Sequence, residues 1–141
     1  MTVGYSGTPL PVKLGITEGM AVALISPPED LSLFLSLPAG VEVVARGPVD
    51  IAIVFATRAD DLVTQFGKAM RRIPADGAIW VAWPKKASKV PTDITEDRLR
   101  ELFLPTGMVD NKVAAVSEIW SGLRFVVRKE NRRNWSGGAR R

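Results

Sequence analysis

The sequence predicts an α/β domain: a mostly parallel sheet with helices on both faces, a three-layer sandwich, closed by an antiparallel hairpin. Three observations carry this. Short apolar runs suited to buried strands alternate with helix-start signals as far as Phe103. The last two apolar runs, Lys112–Glu118 and Leu123–Arg128, are separated by a link far too short for a crossover. The 141 residues are 46% hydrophobic and 24% charged, which suffices for one buried core without cross-links.

The elements follow in order. Thr8 caps and Pro9 opens a short helix that Gly15 ends. Met20 to Ser26 is apolar, is stopped by Pro27-Pro28, and reads as a buried strand. Pro28-Glu29-Asp30 starts a helix, because acids in a first turn favour the helix dipole. The stretch Leu31–Leu37 alternates like a strand, and the start signal assigns it to that helix. Val41–Ala45 and Val49–Phe55 are strands joined only by Arg46-Gly47-Pro48. Three residues span roughly 10 Å, too little to return the chain to the far end of the sheet. The Val41 strand is therefore expected to be an antiparallel or truncated edge piece.

Thr57-Arg58-Ala59-Asp60 reads as a cap, followed by a helix running to about Ile73, with Leu62, Val63, Phe66, Met70 and Ile73 at helical spacing. Pro74–Gly77 is a turn, and Ala78–Trp83 is a strand ended by Pro84. After the loop Lys85–Asp93, Thr95 caps a helix bearing Leu99, Leu102 and Phe103. Trp120-Ser121-Gly122 is the expected hairpin link. Residues 1–128 form the one expected domain, and 129–141 a basic tail expected to be disordered.

Composition narrows the chemistry. Cysteine and histidine are both absent, which removes disulfides, thiolate nucleophiles, imidazole bases and metal sites built on either residue. The net charge is +4, and from Arg128 onward six basic residues face one acid, a surplus of +5. The remaining 13 basic and 14 acidic residues nearly cancel, so the pI of 9.8 reports the tail. Met1–Ser6 lacks the basic residues and apolar run of a signal peptide, and no apolar stretch approaches the ~20 residues of a membrane helix. A cytoplasmic protein without a membrane partner is expected.

From Val49 the order strand, helix, Ala75-Asp76-Gly77 turn, strand, helix, Pro105-Thr106-Gly107-Met108, hairpin resembles the C-terminal half of a Rossmann-type methyltransferase that uses S-adenosylmethionine. The resemblance implies a reduced, Rossmann-like, methyltransferase-like fold. In those enzymes the first strand runs into a glycine-rich turn that lets the backbone approach the cofactor. Here the strand ends Ser26-Pro27-Pro28-Glu29-Asp30. Proline lacks the N–H donor such a cradle needs. The stretch before Asp50 is also too short for the missing strand–helix units. A relative whose cofactor site is lost or rebuilt is implied, and the cofactor is left unassigned.

A second resemblance covers nearly the whole chain outside the tail. Gly4-Tyr5-Ser6-Gly7-Thr8-Pro9-Leu10, Trp80-Val81-Ala82-Trp83-Pro84-Lys85-Lys86, Thr92-Asp93-Ile94-Thr95-Glu96 and Gly107-Met108-Val109-Asp110-Asn111-Lys112, with Trp120-Ser121-Gly122-Leu123-Arg124-Phe125, are similar to the bacterial family called domain of unknown function 3052. That resemblance implies no activity.

Candidate site residues follow from the fold class, since ligands collect outside the carboxyl ends of parallel strands. Those ends are Ser26, Thr57 with Arg58, and Trp83 through Ser88. Lys85, Lys86 and Lys89 supply cations, Ser88 a hydroxyl, Asp93 a loop carboxylate and Trp83 a flat face, a set suited to a small anion. A Ser88–Lys86 nucleophile and base pair matches no known spacing. Arg124 interrupts an apolar strand and is a candidate partner for Asp110. Three functional classes remain: a non-enzymatic domain binding a small anionic ligand or a protein partner, a diverged transferase using an adenosyl cofactor, and a nucleic-acid-associated protein acting through its tail, where Trp135 sits among arginines.

Overall fold

The computed structural model describes residues 8–31 and 36–138. It contains six strands, β1 (Ala21–Ile25), β2 (Glu42–Val43), β3 (Ile51–Phe55), β4 (Ala78–Pro84), β5 (Met108–Ala115) and β6 (Trp120–Val127), and helices α1 (Leu10–Leu14), α2 (Ala59–Met70) and α3 (Glu96–Phe103). The strands form one sheet in the order β2-β1-β3-β4-β6-β5. β2, β1, β3 and β4 are parallel; β6 is antiparallel to both β4 and β5.

Every residue of β3 and β4 is buried, as expected of central parallel strands covered on both faces. Period-two alternation divides their side chains between two cores. Ala52, Val54, Ile79, Val81 and Trp83 join Leu62, Phe66, Leu99, Phe103 and Phe125 beneath α2 and α3. Ile51, Ile53, Phe55, Trp80 and Ala82 face α1 with Leu10, Leu14 and Ile16. Phe66 stacks on Phe103 at 3.8 Å between centroids, and Phe125 meets both rings edge-on. On the other face the Trp80 indole donates to the Leu14 carbonyl at 2.9 Å, fixing the end of α1 to the sheet.

The short edge strand is truncated, as the three-residue link requires, and it is parallel. Glu42 and Val43 pair only with Ala21 and Val22, at the amino end of β1, so no return across the sheet is needed. Arg72 holds the link in place: its guanidinium donates to the Gly47 and Val44 carbonyls at 2.8 and 3.3 Å. The Asp50 carboxylate accepts from the Ala21 amide at 2.9 Å and sets β3 beside β1. At Gly77 a Cβ would stand 2.9 Å from the Asp50 carbonyl and from Ile73 and Pro74, so that turn admits no side chain.

The hairpin differs from expectation. Its turn is 116–119, and Trp120, Ser121 and Gly122 lie inside β6. The Ser117 hydroxyl accepts from the Ile119 and Trp120 amides and closes the turn. Gly122 serves packing: a Cβ there would press to 3.1 Å against Trp80 and Val116. The tail also differs. Lys129–Asn134 is a 3-10 helix, Trp135 donates to the Ile73 carbonyl at 2.9 Å, and the Gly138 amide reaches the Arg71 carbonyl at 2.7 Å. Part of the helix expected from Pro28-Glu29-Asp30 falls on 32–35, outside the described residues, as does the opening turn at Tyr5-Ser6-Gly7.

Candidate functional site at the carboxyl edge of the sheet

The three parallel strands named by the sequence, β1, β3 and β4, are neighbours, so their carboxyl ends do meet at one edge. They do not share one site. β3 ends at Phe55, opposite Ala82, and β4 continues through Trp83 and Pro84 on β6 alone, where Ser121 and Trp120 face them. This projecting ladder separates two clefts. Trp120 lines one cleft, and Trp83, Pro84 and Ser121 line the other.

The first cleft, about 440 Å³, lies where β1 and β3 part. β2 lies on the other side of β1, so this is the topological switch point of the sheet. Ser26, Thr57, Asp61, Thr64, Gln65 and Trp120 line it. The Trp120 ring meets Phe55 edge-on at 5.3 Å. Among the described residues no lysine or arginine contributes to its wall. Asp61, Thr64 and Gln65 recur at helical spacing on the first turns of α2, a signal present in the sequence and missed. Ser26 holds φ 55°, the left-handed conformation that glycine adopts freely.

The second cleft, about 740 Å³, opens beyond β4. Trp83 forms part of its lining, only 7% exposed. Pro84, Lys85, Lys86, Thr95, Ser121 and the first turns of α3 complete it. The Lys85 amide donates to the Ile119 carbonyl at 2.7 Å and ties the loop to the hairpin turn. Arg100 reaches Glu96 at 2.9 Å, Asp97 at 3.4 Å and Asp110 at 3.1 Å. The hydrogen bond that Arg100 donates to Asp110, then the one it donates to Glu96, raises the Arg100 pKa above its ordinary value. These acids are therefore engaged with Arg100. The Lys85 and Lys86 ammonium groups have no hydrogen bond or ion pair among the described residues.

The remaining sequence candidates have other partners. Ser88 donates to the Lys85 carbonyl at 2.6 Å and accepts from the Val90 amide, closing its own turn. Its hydroxyl is thus held away from any role with Lys86. Asp93 accepts from the Ala59 amide at 2.8 Å, capping α2 from a loop 34 residues away. Arg58, the residue before α2, makes no side-chain cap and lines neither cleft. Asp110 is bound to Arg100 and not to Arg124. Arg124 instead faces Trp80 across the ladder, and its Nε is buried without a partner. Among the described residues no group of three or more carboxylates is placed to hold a metal ion.

Residues 13–129 match the family described as protein of unknown function (DUF3052). The chain belongs to that family. No curated protein matches it. In fold this DUF3052 protein is similar to the ribosomal protein L11 methylase of Lactobacillus delbrueckii subsp. bulgaricus, with TM-score 0.52 and 8% identity over 78% of this chain and 70% of that one. It is likewise similar to the B. subtilis M1A22 tRNA methyltransferase TrmK, with TM-score 0.52 and 10% identity over 88% and 67%. At such identity the likeness shows the Rossmann-like methyltransferase fold and nothing of activity.

The residues at the switch point do not fit a dinucleotide-type or adenosyl cofactor in the usual way. Pro27 and Pro28 offer no N–H where a cradle is required. β2 stops at Val43 and is followed by Val44, Ala45 and Arg46, with no acid to hold ribose hydroxyls.

Proposed function

We propose that this DUF3052 protein is a non-enzymatic binding domain that takes a small anionic ligand, such as a phosphorylated metabolite, in the cleft beyond β4. One observation carries the reading: Lys85 and Lys86 present two unpartnered cations to a cleft whose acids are already engaged by Arg100. The volume of about 740 Å³ is within the range of small-molecule sites. Trp83 adds an aromatic surface for a ring attached to the anion. The Trp83, Lys85 and Lys86 group carries the binding, and Ser26 with Thr57 belongs to the other cleft.

The test is a thermal-shift screen against inorganic phosphate, pyrophosphate and nucleoside phosphates. A ligand at 100 times its Kd adds about 2.7 kcal/mol, a rise of roughly 8 °C for a domain of this size. The Lys85→Ala/Lys86→Ala double variant is expected to abolish that rise. An equal rise in the double variant, or none with any anion, rejects the site.

A transferase using an adenosyl cofactor is the competing reading, and the position of the 440 Å³ cleft at the switch point favours it. The proline turn argues against it. Calorimetry with S-adenosylmethionine decides: binding at millimolar or lower concentration revives the transferase, and silence ends it.

A further inference from the structure

We propose that the opposite end of the domain, where the parallel strands begin, is a composite basic surface that binds the phosphodiester backbone of nucleic acid. The C-terminal segment does not act as a loose chain. Trp135 is bonded to the Ile73 carbonyl and Gly138 to the Arg71 carbonyl, so residues 128–138 are clasped against the end of α2. The clasp depends on glycine: a Cβ at Gly137 would collide with the Met70 carbonyl, and one at Gly138 with that of Arg72. Arg128 donates through its amide to Gly107, beside the start of β5.

This clasp adds charge from two distant parts of the chain. Lys68 comes from the last turn of α2 and Arg71 from the residue that follows it, and Arg128, Lys129, Arg132 and Arg133 come from the segment. None of these six makes an ion pair among the described residues. The acids nearest them in sequence are Asp76 and Glu130, and Glu42 and Asp50 also lie where the parallel strands begin, the latter bonded to the Ala21 amide. The opposite edge carries the acidic helix starts Asp60-Asp61 and Glu96-Asp97 beside Arg58, Lys85, Lys86 and Lys89, so opposite charges offset one another there, whereas the six cations of the clasped end have no ion-pair partner among the described residues. Arginine predominates, and its planar fork suits phosphate oxygens. A membrane surface is the poorer partner, since interfacial binding needs an apolar face beside the charges. Trp135 is half-buried with its indole engaged; of the exposed valines only Val63 is on α2, in its second turn and so toward the other end of the helix, and the rest lie with Ile119 on other elements.

The proposal is independent of the lysine cleft and is tested on the full chain. Fluorescence anisotropy with a labelled 20-base-pair duplex is measured between 50 and 200 mM salt. Five phosphate contacts imply an affinity loss of about 500-fold over that range, and four contacts about 150-fold. Arg71→Gln and Arg133→Gln are each expected to give the smaller loss, and Lys89→Gln at the opposite edge is expected to leave the loss unchanged. Gly138→Ala, which keeps the charge but opens the clasp, is expected to weaken binding at fixed salt. The proposal is overturned by the absence of duplex binding at 50 mM salt, or by binding only to phosphatidylserine vesicles. A normal slope in Arg71→Gln, with only Arg133→Gln affected, assigns binding to the tail alone and overturns the composite surface. An equal change in Lys89→Gln overturns it as well.

Discussion

Asp93→Ala is expected to destabilise the ligand-free protein. α2 begins without a cap of its own: Arg58 contributes no side-chain acceptor, and the first amide, that of Ala59, is bonded at 2.8 Å to the Asp93 carboxylate. Removing a capping acceptor costs about 1 kcal/mol, with a range of roughly 0.5–2. The carboxylate is exposed, so water partly replaces it; the amide it serves is on a buried alanine at the edge of the core, so replacement is incomplete. We expect a loss of about 1–1.5 kcal/mol, a fall in Tm of roughly 3–5 °C. Thr92 makes the neighbouring bond, its hydroxyl donating to the Thr57 carbonyl at 2.6 Å, so the loop should not detach altogether. Asp93→Asn keeps an acceptor and is expected to restore more than half the loss. Urea unfolding with an unchanged m-value is the assay. A change in Asp93→Ala below about 0.5 kcal/mol, the scatter of neutral surface substitutions, would refute the capping argument. It would also return Asp93 to the pool of ligand candidates.

Three further outcomes follow from single positions. Trp80→Phe leaves the Leu14 carbonyl without its buried donor and is expected to cost about 1–3 kcal/mol in urea unfolding; an unchanged midpoint contradicts the role given to that bond. Ser26→Gly removes a left-handed serine, a gain of roughly 1–2 kcal/mol, against a glycine entropy cost of about 0.5–1. Stability is expected to rise by about 0.5 kcal/mol, and a clear fall would mean the serine side chain holds the turn. Arg124→Met keeps the packed stem and removes an unpartnered Nε, so thermal denaturation is expected to show a gain of about 1 kcal/mol. Burial lowers the Arg124 pKa, so the folded state binds this proton less tightly than the unfolded chain. The penalty is therefore full at every pH below the lowered value and eases only in strong alkali. A gain that varied between pH 5 and pH 8 would contradict this account.

The central sheet was legible because its signals are local. β3 and β4 are uninterrupted apolar runs with turn residues at both ends, and helical spacing marks α2. The hairpin boundary was misplaced because glycine in Trp120-Ser121-Gly122 reads as a turn residue, whereas the fold uses it for close packing against Trp80. The edge strand was legible in length and not in direction, since the Arg72 side chain that supports the link comes from another element. The C-terminal clasp was illegible for a similar reason: Ser-Gly-Gly is a common flexible pattern, and only the approach of α2's terminal carbonyls makes it a fitted one. Of the site candidates, Trp83, Lys85 and Lys86 share a cleft, and Ser26 and Thr57 share another. Strand-end position alone placed all five at one edge, and the register of β4 on β6 separated them.

That separation has a chemical consequence. In a sheet whose strands end level, groups beyond neighbouring strands can act on one ligand. Here β4 overshoots β3 by two residues, and Trp83 and Pro84 are supported only by Ser121 and Trp120. Lys85 and Lys86 thereby follow the projecting ladder, apart from the switch-point cleft, which has Asp61 and, among the described residues, no cation in its wall. An anion drawn to Lys85 and Lys86 is therefore not presented to the turn after β1. The two prolines of that turn remove donors only from the cationless cleft, and the lysine cleft loses nothing by them. The glycine-free turn and an anion site beyond β4 are thus compatible within one fold, since the first has no atoms in the second.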